Sequence, residues 1–464
     1  MKKNVLKRVF SLALALIMAM SLVACGSADE ETTEDTAGTE TDASENSEAW
    51  IALSMNAETL DLTKTSSLGC RQVSLGTVWE RLVTLNSTGE PVPELCESYE
   101  MSEDARTFTF HLRHGVLFHD GSDLTDDGYL KNYIGTGPYQ FTEFEQDQYI
   151  RLDRFDDYVP YGEEGYVDGM AGYKDASIQT LYYTYVKEAS TRIAGLQTGQ
   201  YDLIYSLSSD NFDVIANADG METKNEEAGA LILVLNKMQG LCTDVNFRKA
   251  VNAALSMDDI LTVGYGSFYN LSSCYMDESN GFWLTDAGSE SYNQANQELA
   301  KEYLAQSSYQ PGDVFTILTT NENNRDKLAL VIASQLEAIG ITCEVEAYDY
   351  PTMNSYTYDP SLYDMYVMSY SSVPLPTLKA YLGTGDSFWT TDETYQAYIS
   401  QFNQATTKEE AYKIWETIQA YCWNDYLPVI NCGHYQECYA WNGNTLSNVN
   451  IYNNIVHMWS ASLS

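Results

Sequence analysis

Residues Trp79 to Gly121 read WERLVTLNSTGEPVPELCESYEMSEDARTFTFHLRHGVLFHDG. The second half alternates. Phe108, Phe110 and Leu112 fall on one face, and Thr107, Thr109, His111 and Arg113 on the other. A period of two is that of a half-buried strand. His119-Asp120-Gly121 closes the run as a turn, because Asp bonds its own backbone and Gly takes a positive φ cheaply. After it, Thr125-Asp126-Asp127-Gly128 leads almost at once into Lys131-Asn132-Tyr133-Ile134-Gly135. The residues from Asp127 to Ile134 span at most about 28 Å and cannot hold a packed helix pair.

Upstream, the N-terminus sets the compartment. Lys2, Lys3, Lys7 and Arg8 precede an apolar run from Val9 to Val23, too short and wrongly flanked for a spanning helix. The run ends in Leu22-Val23-Ala24-Cys25-Gly26, the pattern of a lipoprotein signal with Cys25 as the lipidated residue. Stable anchoring needs two acyl chains, at roughly 0.8 kcal/mol per buried CH₂. Residues 1–24 are therefore expected to be a signal peptide. Residues 25–48, rich in Glu, Asp, Thr, Ser and Ala, are expected to be an acidic tether that cannot bury enough surface to order itself. A flexible chain of that length reaches about 25 Å.

The rest is long enough for two or three lobes. The formal net charge of −41 argues against nucleic acid, whose phosphates need Lys and Arg. It fits a soluble surface, or alternatively a cationic substrate. The 36 Tyr residues offer flat amphipathic surface for a pocket, or simply strand-forming aromatics. Eight cysteines follow Cys25, with no paired C-x₂-C zinc spacing; bridges and buried free thiols are both open.

The body alternates strands and helices. Ile51 to Met55 is a strand, and Glu58-Thr59-Leu60-Asp61 a turn. Gly135-Thr136-Gly137-Pro138-Tyr139 is a tight reversal before a strand at Tyr149 to Arg154. It lacks the Gly-Lys-Ser/Thr of a phosphate loop. Ser177 to Val186 is strand-like, and Ala189 to Thr198 a helix stopped by Gly199. Leu231 to Asn236 is an apolar strand. Asp244 caps a helix whose Phe247, Ala250, Val251, Ala254 and Leu255 share one face. Tyr292 to Leu304 is a further helix. A βαβ unit runs from Val314 to Val345, Tyr363 to Ser369 is a strand, and Ala411, Trp415, Ile418 and Cys422 line a late helix. Such alternation implies a mixed sheet with helical cover.

Several of these pieces resemble, in order, the solute-binding proteins of the peptide/nickel ABC transporters, extracellular solute-binding protein family 5. The resemblance rests on VPELCESY, the TFTFHLR strand, FHDG, GTGPYQF, STRIAGLQTGQYDLIYSL, LNKMQGLCTDVNFRKAVNAALSMDDI and DYLPVI. It implies an α/β fold of two lobes, like a type II, cluster C periplasmic binding protein, with mixed sheets and a reduced extra subdomain. Lobe I would take residues 49–78, 131–233 and 429–464, lobe II 234–428, and 79–130 would be what remains of the subdomain. The implied function is capture of a peptide or other small polar solute by closure of the lobes. Delivery to ABC permease subunits would follow, from a lipid-anchored monomer on the outer face of the cytoplasmic membrane, extracellular or periplasmic. No enzyme activity, cofactor or metal is expected.

By the same resemblance the strand at Tyr363 runs into the ligand. Tyr370, Ser371, Ser372 and Val373 become binding candidates, with Asn236 at one crossing between lobes and Ser67, Leu68 and Gly69 ahead of Trp79. Peptide-binding members place an Asp near this point for the peptide ammonium; here Val373 or a neighbour occupies it. Leu235-Asn236 and Pro428-Asn431 are the candidate hinges. His111, His114 and His119 do not form a known metal spacing. Gly-x-Ser-x-Gly, HExxH and Walker patterns are absent from the sequence. Alternatives are a non-transport surface lipoprotein or decayed paralogue and, from another class, a secreted glycoside hydrolase with a carboxylate pair.

Overall fold

The computed structural model describes residues 47–464 apart from 58, 65–66, 105, 123–132, 146–147 and 384–386. The signal, Cys25 and nearly all of the expected tether lie outside the described residues. The tether's last two positions do not: Ser47 precedes, and Glu48 opens, the strand Glu48–Leu53.

The body's longest apolar run decides the architecture. Ala228 to Leu235 is fully buried, inside a strand that runs from Met221 to Leu235. It pairs antiparallel with Val429–Asn442 along nearly its whole length. These two strands form the middle of an eleven-stranded sheet. On one side Met365–Ser371 pairs antiparallel with the first of them, Gly229 opposite Ser371 and Leu235 opposite Met365. Val314–Thr320 and Thr342–Tyr348 then extend the sheet in parallel. On the other side come Leu203–Tyr205, Glu48–Leu53, Thr180–Tyr185, Tyr149–Arg154 and Tyr139–Glu145, part parallel and part antiparallel.

Two main cores follow from this order. One gathers Leu231 to Leu235, Phe247, Val251, Ile317, Leu336, Trp415, Val429 and Ile430. The other gathers Ile51, Leu53, Tyr139, Leu181, Leu203, Tyr439 and Trp459. The chain passes between them twice, along the two long strands. The pairing slips between Glu227 and Gly229, so Ala228 is a bulge facing the step from Tyr435 to Gln436. Gly229 is required there: a Cβ would lie 2.0 Å from the Tyr370 carbonyl oxygen. The crossing therefore sits at this bulge. Leu235-Asn236 and Pro428-Asn431, the expected hinges, are instead buried, with Leu235, Val429 and Ile430 inside one core. The apolar run looked like a whole strand in sequence, and its polar continuation, Met221 to Glu227, pairs with Gln436–Asn442 beyond it.

Two helices form where their caps predict. Asp244 Oδ1 accepts from the Asn246 N–H at 2.8 Å and starts Val245–Ala254. Gly199, at φ 74°, ends Ala189–Thr198. One start differs: the helix expected from Tyr292 begins at Gln297, because Asn293 and Ala295 take positive φ and Asn296 caps it through the Leu299 N–H. The eight cysteines from Cys70 onward are unbridged. Among the described residues no helix is long and apolar enough to cross a membrane.

The opening stretch forms two separate hairpins, Val83–Leu85 with Pro91–Pro93 and Cys96–Met101 with Phe108–Leu112. The turn that ends it is tied to the reversal after the short connection. His119 N–H donates to Gly135 O at 2.9 Å, Gly135 N–H donates to His119 Nδ1 at 3.2 Å, and His119 Nε2 lies 3.0 Å from Gly137 O. A Cβ on Gly135 or Gly137 would strike the Val78 or Thr77 carbonyl, at 1.9 and 2.1 Å. Both glycines allow this close approach.

Candidate functional site

A cavity of about 240 Å³ opens at the bulge, walled by segments from both cores. Glu226 and Glu227 come from the first crossing strand just before the slip. Ser372, Val373 and Pro374 follow the strand Met365–Ser371, and Glu278, Ser279 and Asn280 begin a short 3₁₀ turn. Tyr452 and Asn453 come from the other side, at a hairpin tip where Asn453 and Asn454 have φ 53° and 65°. Two successive positive φ values suit a two-residue hairpin turn, and Asn tolerates them best after Gly. The Asn454 amide anchors the tip to the bulge, donating to Ala228 O at 2.6 Å.

The first hairpin of the opening stretch supplies Leu85 to the wall. Its turn also meets the opposite side: a Cβ on Gly89 would lie 3.0 Å from Asn280 Oδ1 and 3.7 Å from Pro374. Glu90 reaches Lys408 at 3.5 Å, an exposed pair of little energetic weight.

Behind the wall the charges are paired. His434, 1% exposed, faces Glu227 Oε1 through Nδ1 at 3.0 Å and the Cys274 carbonyl through Nε2 at 3.0 Å. Both neighbours are acceptors, so only the doubly protonated ring serves both. Glu227 also accepts from Asn270 and from the Glu278 N–H. Burial pushes its carboxyl up, but His434, Asn270 and the Glu278 N–H outweigh this and hold it below the usual range. Lys379 and Asp277, at 2.7 Å, are both fully buried. Glu226 pairs with Lys224; burial nevertheless lifts its carboxyl above the ordinary value.

Glu227, Asp277 and His434 lie close enough to suggest a metal trio. Their chemistry is already committed: both His434 nitrogens and Asp277 Oδ2 are engaged, leaving Asp277 Oδ1 without a partner.

The sequence candidates are placed unevenly. Ser372 and Val373 stand in the cavity wall. Ser371 lies in the ladder opposite Gly229, outside the wall. Tyr370 points into the lobe behind it, its OH 3.2 Å from that of Tyr366 and its ring against Tyr381 and Phe388, and burial drives its phenol well above the ordinary range. Alternation in the strand separates these neighbours. Asn236 is a turn-builder: its amide donates to Pro360 O and Tyr363 O, and its oxygen accepts from the Met238 and Gln239 N–H groups. Ser67 precedes the helix Leu68–Ser74, and Gly69 packs on the chain at Met55-Asn56, where a Cβ would lie 2.6 Å from Asn56 O. Ser67, Leu68 and Gly69 lie outside the wall. Glu226, Glu227, Glu278 and Asn453 carried no motif. Only the Asn453-Asn454 pair between Tyr452 and Ile455 gave a readable signal, that of a hairpin turn.

The sequence matches the bacterial extracellular solute-binding proteins, family 5 Middle, over residues 90–129 and 124–391. The chain belongs to this family. Its match comes in two pieces that meet at the short connection after Gly121. As a family 5 solute-binding protein it is similar to the probable peptide ABC transporter periplasmic-binding protein y4tO of Sinorhizobium fredii. The two are 21% identical over 79% of this chain and 85% of that one. In structure it resembles the PBP AgaA in complex with agropinic acid from A. tumefaciens R10. The TM-score is 0.75 at 19% identity, over 90% of this chain and 99% of that one. The dipeptide binding protein of Pseudoalteromonas sp. SM9913, in complex with Met-Leu, gives 0.74 at 15% identity, over 90% of this chain and 100% of that one. These structures share the two-lobed binding-protein fold, and the family places the chain among the solute-binding components of ABC importers.

Proposed function

We propose that this family 5 protein takes up a small polar, peptide-like solute in the cavity at the bulge and passes it to the permease subunits of its importer. The observation that carries this is the cavity's composition. Walls from both cores converge on it, with three carboxylates, two Ser hydroxyls, two Asn amides and a Tyr arranged around a space of about 240 Å³. Ligand sites favour such junctions. That volume falls below the roughly 300–1,000 Å³ of drug-sized sites, which favours a solute of one or two residues over a long peptide. The signal pattern ending at Cys25 supports a lipid-anchored body outside the cytoplasmic membrane. A Cys25→Ser chain is expected to leave the membrane fraction. The paired state of the buried charges favours binding over catalysis.

The test is a thermal-shift series on the full chain in detergent, against dipeptides, neutral sugars and divalent metals. A solute present at 100 times its Kd should add about 2.7 kcal/mol. Absence of stabilisation by every class would remove the transport reading.

A further inference from the structure

The hairpin Val83–Leu85 with Pro91–Pro93 is held differently at its two ends. Its base stands beside the core around Trp459. Leu85 packs there with Leu75, Met170 and Ile455, in a small cluster that shares Leu62 with that core. Leu85 O accepts from the Met170 N–H at 3.0 Å, and the Ser87 N–H donates to Asp168 Oδ1 at 3.0 Å. Gly169 permits this approach: a Cβ there would lie 2.6 Å from the Asn86 carbonyl carbon. The turn is also braced from within. Asn86 Oδ1 accepts from the Thr88 N–H, the Thr88 hydroxyl and the Glu90 N–H, at 3.1, 2.8 and 2.8 Å.

The tip rests on segments of the other core. Gly89 abuts Pro374 and Asn280, and Asn280 shares a 3₁₀ turn with Trp283 of that core. Glu90 faces Lys408 Nζ at 3.5 Å, and the same ammonium lies 4.3 Å from the centre of the Phe282 ring. Lys408 opens the helix Lys408–Tyr421, which carries Trp415 into the core. The helix dipole opposes a cation in the first turn. Lys408 is thus poorly placed for its own helix, and is answered by Glu90 from across the junction and by an aromatic face. Between the two ends, Leu85 forms part of the cavity wall.

We propose that the turn from Asn86 to Glu90 is a strap. Fixed at its base, it fastens onto Asn280, Pro374 and Lys408 when the two lobes close, and its fastening sets the balance between closed and open chains. The base is held by apolar packing and by hydrogen bonds to one segment, whereas the tip is held by an exposed ion pair and surface contact. The tip is therefore the end that lets go, and the Leu85 side of the cavity opens with it. An exposed pair shifts an equilibrium by only about 2- to 5-fold. Such a light fastening leaves the lobes free to part, and a solute that favours the closed form supplies the rest. The inference rests on the solute-capture reading above, in which the lobes close, and adds the element that holds them.

The experiment reads lobe separation directly and needs no solute. Fluorophores are attached through non-natural amino acids in place of Asp157, after the strand Tyr149–Arg154, and Glu337, at the end of the helix Arg325–Glu337; both positions are exposed. Energy transfer is recorded on single molecules of the full chain in detergent. Two transfer values are expected, one closed and one open. Lys408→Glu should lower the closed-to-open ratio about 2- to 5-fold, and Glu90→Lys likewise. The chain carrying both changes should return to within about 2-fold of the parent, which loss of a merely structural residue would not do. Gly89→Asn keeps the left-handed turn, which Asn tolerates, and puts a side chain into the gap at Asn280; the ratio should fall about 10-fold. Unchanged ratios in both Gly89→Asn and Lys408→Glu would overturn the strap and leave closure standing. Failure of the double exchange to restore the ratio would overturn the pairing of Glu90 with Lys408. A single transfer value in every chain, with dipeptides as without, would overturn the strap because the lobes would not move. Solute capture is read separately by the thermal-shift series above.

Discussion

The junction at the bulge and the hairpin Cys96–Met101 with Phe108–Leu112 break the usual inside-outside rule in opposite directions. At the junction, Asp277, Lys379 and His434 are charged or polar and nearly inaccessible. On the hairpin, Met101 and Phe108 are 58% and 52% exposed, with Tyr99 and the stacked Phe110 beside them. The junction keeps its polar groups by answering nearly every one. The hairpin's apolar face belongs to a two-stranded sheet with no other strand paired to it among the described residues. A buried polar group survives when partnered, whereas an exposed apolar face only forgoes burial energy. The first kind of exception therefore shows where structure is maintained for a purpose. The second shows where a covering element is not in contact.

The strongest way to break the junction is to remove one half of its buried pair. Lys379→Met leaves Asp277 charged, buried and unanswered. We expect a loss of about 3–5 kcal/mol by denaturant titration. A chain carrying Asp277→Leu as well should recover most of that loss, since apolar replacement of a whole buried pair is often neutral. A single variant as stable as the parent would mean that the pair is solvated in solution.

Acid sharpens the same contrast away from the junction. His457 is 1% exposed, and burial, helped by Lys174, pulls its imidazole down from 6.5 to about 3. The unfolded chain then binds the proton first. Its contribution to stability is complete above about pH 6.5 and is lost as the pH falls towards 3, on the order of 3 kcal/mol by pH 4. His119, also lowered by burial, acts with the same sign. Replacing His457 by Gln should flatten the fall in melting temperature between pH 6.5 and 4. An unchanged slope would show that carboxylates govern it instead.

These differences also separate what could be read in the sequence from what could not. Periodicity and caps placed Ala189–Thr198, Val245–Ala254 and the strand Tyr149–Arg154, since each is specified by its own residues. The ordered motifs gave the family and its two-lobed fold. The site was less legible. Ser372 and Val373 were reached by register with the family, but a slip of one residue in a strand reverses the face, and Tyr370 faces a core. Glu226 and Glu227 carry no motif, because their role depends on a bulge made by pairing with residues about 200 positions away in the chain. Asn236 was a polar residue at the end of an apolar strand, which suits a ligand contact and a turn equally. Only its four hydrogen bonds decide for the turn.

The smallest effect is expected at the hairpin, and it tests what its exposed face does. Phe108→Thr keeps a good strand former and removes the ring. Phe108 contributes little burial, so thermal stability should change by no more than about 0.5 kcal/mol. Light scattering at high protein concentration should fall, because an exposed aromatic strand is a site for self-association. A loss of more than about 2 kcal/mol would instead match the truncation of a buried aromatic side chain. That outcome would place a covering segment over the face in solution, and the difference between the two regions would then be one of partners rather than of principle.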